Sequence, residues 1–313
     1  MKDHAGERAP RSLAGILFNI RVLRVVGQAV AILVLLAFAL YLQDNYRANT
    51  RHRRNQGGWG FLDEPTGFGI AYTDFRPGQP VRDALMVGVR NTLVSAVVGI
   101  VLATVLGVLV GVLRLSRSWV ARKAATLYVE VLRNVPVLLI ILFTGAWLRT
   151  LPRHDEAWTL GSLVEISNRE IVLGPATLNI PYVALTAALA VYHGSHIAEI
   201  VRGSIQAVPH GQTEAATAIG LSDVQRLRYV VLPQAVRIAL PPTISQYLSL
   251  TKNTSLGIAV AYSDVASLGF RLIGARSPAL QTIVVLMVVY LTFSLTTSLV
   301  FNVVNRRMQL VER

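Results

Sequence analysis

The sequence predicts an all-α membrane protein of about six transmembrane helices, and three observations carry that expectation. Of its 313 residues, 53% are hydrophobic and only 15% are charged, with a mean hydropathy of +0.50. That profile is more apolar than a soluble domain tolerates. Stretches free of Asp, Glu, Lys and Arg cover positions 25–43, 91–113, 171–198 and 277–305, and segments of this length can cross a hydrocarbon core of about 30 Å. The basic residues cluster between them, where they set orientation. A net charge of +13 would suggest nucleic acid in a soluble chain. Here the expected surroundings are membrane lipid, with no nucleic-acid partner.

The elements follow in order. A cytoplasmic segment, 1–24, precedes a first span at 25–43. Ala37-Phe38-Ala39 resembles a signal-peptide cleavage site, but the 24 residues ahead of it make a long leading region, and either reading leaves the later spans in place. Residues 44–88, rich in Gly, Pro and aromatics, read as an external loop lying against the membrane surface. A second span is expected at 89–113. Along it Gly99, Ala103, Gly107 and Gly111 recur every fourth residue, leaving a flat face that another helix can approach closely. Packing within the chain is expected there, ahead of contact with a second subunit.

The third span is placed at 127–148, because the uncharged stretch 134–148 is short and borrows the turn before it. Pro175 and Pro181 put the start of the fourth near Asn179, giving 180–200. His193, His196 and Glu199 lie three apart on one face of it. That spacing admits a metal site, but no fourth ligand is in view, so a polar strip is expected and no metal. The fifth span, 240–262, contains Lys252, where a charge costs about 2.5–3.5 kcal/mol on insertion scales. Lys252, Asn253, Thr254 and Ser255 form a polar patch and are candidate pathway residues. The competing reading is a lysine snorkelling near a broken helix. A sixth span at 281–304 leads into a tail, 305–313.

Charge sets the orientation. Loop 114–123 carries four basic and no acidic residues, whereas 149–170 carries three basic and four acidic. The first is therefore expected inside and the second outside, and alternation puts both termini and loop 206–236 in the cytoplasm. Arg51-His52-Arg53-Arg54 runs against this rule. The absence of cysteine removes disulfides and thiolate metal sites.

Positions 214–233 read EAATAIGLSDVQRLRYVVLP. Residues 212–219 favour a short helix, and Gly220 stands where a left-handed cap is needed. Ser222 with Gln225 three residues on makes a capping box for a second helix, which Pro233 is expected to stop. The product is an L-shaped knob. Leu221, Val224, Leu227 and Val231 give it an apolar side that something must cover. There is no Walker A loop, HExxH or GxSxG elsewhere in the chain. No enzyme activity or cofactor is expected, and any ATP would be hydrolysed by another polypeptide.

These motifs carry a resemblance. Glu214-Ala215-Ala216, with Gly220 six residues after the glutamate and a closing Leu232-Pro233, is similar to the cytoplasmic EAA loop of ABC-importer permeases. Over about 88–304 the chain resembles permease subunits of polar amino-acid importers of the histidine/glutamine/glutamate type. The supporting runs are Asn91-Thr92-Leu93, Glu130 to Pro136, Ala198 to Gly203 and Lys252 to Leu256. Gln206 to Thr213, Ser245-Gln246-Tyr247 and Trp59 to Leu62 look most like the general L-amino acid permeases. Two departures stand out: Arg90 where small or apolar residues are usual, and a short region between the third and fourth spans.

The resemblance implies a five-helix permease core with one added N-terminal helix, in the inner membrane of a bacterial cell. It also implies a second permease (as homodimer or heterodimer), two ABC ATPase subunits and a periplasmic amino-acid-binding protein. By match, Glu214, Ala215, Ala216, Gly220, Leu221 and Pro233 are the ATPase-coupling positions. An ATP-independent carrier or channel is the alternative, and it gives no reason for a spaced cytoplasmic knob.

Overall fold

The computed structural model describes residues 20–50, 58–161, 163–275 and 277–308. The cluster 51–54 and the extreme termini lie outside them. The chain divides into two compact units, one ending at Trp59 and the other beginning at Gly60. In the first, helix α1 spans Ile20–Thr50. Its Leu23–Ala48 stretch is long and apolar enough to cross a membrane, in line with the expected first span.

The second unit opens with a compact loop. Phe61, Ile70 and Phe75 are buried, packing with Ala84, Leu85, Leu268 and Leu272, and Arg271 lies 4.1 Å over the Phe68 ring. Part of the loop's aromatic content is thus taken up by the unit's own core, while Tyr72 stays exposed. Helix α2 then runs Val81–Leu113, 33 residues, and begins eight residues before the expected span.

The third expected span is not one helix. Helices α3, Trp119–Asn134, and α4, Val137–Leu148, meet at a bend of 108°. Pro136 pushes Val135 out of helical conformation, to φ −97°, ψ 131°, and a capping residue that is extended must redirect the chain. Alone, the twelve residues of α4 rise only about 18 Å.

Residues 158–179 form an antiparallel meander in place of an all-helical connection. Its strands are β1 Trp158–Leu160, β2 Val164–Ile166, β3 Glu170–Leu173 and β4 Ala176–Asn179, in that order. Trp158 lies opposite Ile166 and Glu170 opposite Asn179. Gly161 (φ +60°) and Gly174 (φ +57°) supply the left-handed residues that tight hairpins require.

Helix α5, Ile180–Gln206, starts where the prolines placed it. Asn179 caps it, accepting from the Tyr182 N–H at 2.9 Å, with Pro181 in the first turn. It is the helix around which the unit is built, packing on α2, α4 and the later α8. After the knob, α8 runs Leu232–Asn253, a 3₁₀ stretch covers Thr254–Val260, and α9, Val265–Gly274, follows at a 49° bend. The fifth span is therefore broken at 261–264, where Ala261 is left-handed at φ 61°. At the polar patch the helix only tightens, the Thr254 and Ser255 hydroxyls donating at 2.8 Å to the carbonyls of Thr251 and Lys252. Helix α10, Ala279–Met308, contains the sixth span.

By length and composition three described helices can cross a membrane, or five if each bent pair is one span. Helix α5 adds a long interior helix whose His193, His196 and Glu199 keep it below that apolar standard. The small-residue face of α2 packs within the chain, as expected. A Cβ at Gly107 would lie 2.5 Å from Ile197 Cγ2, and one at Gly111 2.8 Å from the Ala198 carbonyl oxygen, while Gly99 faces Leu250. Backbone contact this close is possible only without side chains.

We expect Gly107→Val to lower the melting temperature of the purified protein, since overpacking costs about 1–3 kcal/mol. Gly203→Ala, where a Cβ meets open space, should be neutral or stabilising. Equal melting temperatures for Gly107→Val and the unmutated chain would show that the α2–α5 approach is loose.

Candidate functional site

The knob is built as the sequence dictates. Helix α6, His210–Ala218, ends in a Schellman cap: the Leu221 N–H donates to the Ala216 carbonyl at 3.1 Å and the Gly220 N–H to that of Thr217 at 3.0 Å. This requires Gly220 to be left-handed, and its φ is +81°. Ser222 then caps α7, Asp223–Arg226, in a reciprocal box with Gln225. The two arms are tied by Arg226, whose guanidinium donates to the Thr217 hydroxyl at 3.2 Å.

Pro233 does not stop the second arm. A π segment, Leu227–Val231, intervenes and the Leu232 N–H bonds back five residues to Leu227. The wider turn accommodates Pro233, which has no N–H to give and would otherwise press on the carbonyl four residues earlier. The arm therefore continues into α8 and joins the knob to the core.

Among the expected coupling residues, Glu214, Ala215, Gly220 and Pro233 are exposed, Leu221 is half-buried and Ala216 is buried. Glu214 lies 3.0 Å from His210. The expected apolar side is covered only in part: Leu221 and Val231 are half-buried, whereas Val224 is 74% exposed, and Ile219 beside the corner is 77% exposed. Arg117, in the basic loop after α2, lies 3.6 Å from Asp223, so that loop and the knob share one end of the molecule.

Beside them is a charge cluster that the sequence reading missed. Glu199 is ion-paired with Arg114 at the end of α2 and with Arg202 one turn on, and Arg133 of α3 stands 3.7 Å away. It joins three helices at the knob end, and the Nε atoms of Arg114 and Arg202 are buried without a partner. The signal was present in the sequence only as isolated charges at span ends.

His193, His196 and Glu199 are committed to different partners. His193, 1% exposed, sits between α5 and α8, with Nδ1 3.1 Å from Gln246 Oε1 and Nε2 3.2 Å from Asn253 Nδ2. A neutral ring protonated at Nδ1 satisfies both contacts. His196 turns to the Tyr192 carbonyl at 3.1 Å. The polar patch is likewise divided: Asn253 and Thr254 face inward, while Lys252 is exposed at the C-terminal end of α8, where a cation complements the helix dipole.

A helical core with interrupted apolar segments thus carries a Schellman-capped, exposed knob at its charged end. The chain belongs to the family of binding-protein-dependent transport system inner membrane components, whose model matches residues 82–310. It is 33% identical to the general L-amino acid transport system permease protein AapQ of Rhizobium johnstonii, over 91% of this chain and 92% of that one. It is 28% identical to the glutamine transport system permease protein GlnP of Escherichia coli, over 74% and 96%.

In fold it is similar to an amino acid ABC transporter crystallised with histidines, with a TM-score of 0.59, 21% identity and coverage of 72% and 94%. The inward-facing MetNI methionine ABC transporter gives 0.55, 19% identity, 73% and 98%. The protein is a permease component of the ABC amino-acid importer family, multi-pass in the inner membrane, and its relatives are permeases, not enzymes.

Removing the central anion should cost stability. Glu199→Gln leaves three guanidinium groups facing one another, and an uncompensated charge of this kind costs about 1–3 kcal/mol. Adding Arg202→Gln should restore part of the lost melting temperature. Strict additivity of the two losses would show that the cluster is not a coupled unit.

Proposed function

We propose that this chain forms the translocation pathway of an ATP-driven importer for L-amino acids and couples it to a separate ATPase through loop 206–236. The observation that carries the reading is the knob. Its Schellman-capped corner at Gly220 holds two arms at a fixed angle while Ile219 and Val224 stay uncovered, which suits a part that must be covered by another protein and transmit its movement. Glu214, Ala215 and Leu221 line the corner, Ala216 anchors its inner side, and Pro233 stands in the first turn of the helix that would carry movement into the core.

The substrate class rests on the relatives' names, general L-amino acid and glutamine permeases. The basic loop beside the knob supports a cytoplasmic setting. Both termini then lie on that side, around a permease domain over 89–304. An ATPase pair, a second permease and an external amino-acid-binding protein complete the system. Lys252 is exposed on the single chain and Asn253 is tied to His193. The cation thus stands beside the change from α8 to the 3₁₀ stretch, and in our reading it belongs to a pathway wall shared with a second permease.

In vesicles containing the assembled transporter, Gly220→Val should abolish amino-acid uptake while the chain is still inserted and assembled. A β-branched residue at positive φ strains the backbone by about 1–3 kcal/mol and tilts the knob. Normal uptake at normal abundance would remove the knob from the coupling path. Lys252→Met should shift the ratio of labelled glutamate to arginine uptake, normalised to assembled complex. An unchanged ratio would rule out its pathway role.

A further inference from the structure

At the end of the molecule opposite the knob, a cleft of about 620 Å³ opens between the 71–74 turn, α2, the β4–α5 junction and residues 261–263. That volume lies within the range of small-molecule sites, ~300–1,000 Å³. Two charged side chains line it, Arg90 and Asp74. Both are exposed, and among the described residues neither side chain has a hydrogen-bond or ion-pair partner, unlike the arginines around Glu199.

Their supports are fixed. The turn bearing Asp74 is closed by the Ile70 N–H donating to the Phe75 carbonyl at 3.3 Å and by the Thr73 hydroxyl donating to the Ile70 carbonyl at 2.8 Å. Next to Arg90, the Asn91 amide donates to the Ser263 carbonyl at 2.8 Å, and the Tyr262 hydroxyl donates to the Asn91 carbonyl at 3.0 Å. The non-glycine residues with positive φ in the described chain are Tyr72 and Ala261, each at 61°. Both line this cleft. Backbone held in so sparsely populated a region collects at ligand sites, where the surroundings over-determine it.

We infer that this cleft is an extracytoplasmic subsite for a zwitterionic α-amino acid, in which Arg90 takes the α-carboxylate and Asp74 the α-ammonium. The inference rests on the importer reading above and goes beyond it by naming the residues that meet the substrate on entry. A guanidinium offers a carboxylate two parallel donors and a carboxylate accepts an ammonium, so one cation and one anion select a zwitterion over either half alone. The tyrosines and asparagines of the wall leave the side-chain end of the ligand unspecified, which fits a broad amino-acid range.

The test uses the purified transporter with its ATPase subunits and without binding protein. Labelled L-glutamine, L-glutamate, L-arginine and L-leucine are tried in turn, and the probe that binds best is kept. We expect saturable binding, and competition by the probe's own α-amide and by its N-acetyl derivative at least about tenfold weaker than by the free amino acid. Arg90→Gln should erase the discrimination against the amide and keep that against the N-acetyl compound. Asp74→Asn should do the reverse, and Arg90→Lys should retain part of the first.

Absence of saturable binding by any of the four probes, or discrimination unchanged in both variants, would overturn the subsite. Uptake by the complete wild-type system, measured in parallel, separates the two failures. Uptake without the binding pattern removes the subsite alone, whereas no uptake of any amino acid removes the importer reading.

Discussion

The close approach of α2 to α5 is the constraint on which the rest of the structure depends. Gly107 and Gly111 bring the two backbones together where any side chain would collide with Ile197, Val201 or the Ala198 carbonyl. The pair runs parallel: Arg90 and Tyr182, near the two helix starts, line one cleft, and Arg114 meets Glu199 near the two ends. Parallel neighbours oblige the chain between them to return across the molecule, which the bent α3–α4 pair and the β-meander accomplish. In an apolar surrounding with no hydrophobic drive between helices, such tight packing is what orders the bundle.

That arrangement separates the molecule into two chemically different ends. One holds the cleft, its walls fixed by Asn91, Tyr262 and Ser263. Just beneath, Thr92 accepts from the Val265 N–H at 3.1 Å, while buried Asp264 caps α9 and accepts from the Tyr290 hydroxyl at 3.0 Å. The other end holds the Glu199 cluster and the knob. Between them His193 contacts Gln246 and Asn253, which ties the continuous helix α5 to α8 next to its change into the 3₁₀ stretch. On the proposed coupling role, this contact is one route by which movement at the knob would reach the middle of the core.

What the sequence made legible was local and stereochemical. Gly220, the Ser222–Gln225 box, the Asn179 start and the α2 stripe each depend on a few neighbouring residues, and each is found as expected. The misses required partners distant in sequence or a competition between neighbouring preferences. The 108° bend turned on Pro136 outweighing an apolar run that reads as continuous. The π turn at Leu227–Val231 accommodates Pro233, so the arm runs on into α8. The meander was hidden because the stretch from Ile171 on is uncharged and passes for the approach to a span. His193 and Glu199 were visible as polar residues, but Gln246, Asn253, Arg114 and Arg133 come to them only through tertiary packing.

The central claim is that the knob is the cytoplasmic docking element for a separate ATPase. The chain contains no cysteine, so Val224→Cys on the knob and Trp158→Cys on the meander can each be the sole thiol. Both positions are exposed. Labelling with a membrane-impermeant maleimide in inside-out and right-side-out vesicles, with and without the ATPase subunits, reads sidedness and coverage together. The account predicts that Val224→Cys reacts only in inside-out vesicles and is protected by the ATPase, while Trp158→Cys reacts only from the other side and is indifferent to it. Reaction of Val224→Cys from the outside, or equal labelling with and without the ATPase, would contradict it.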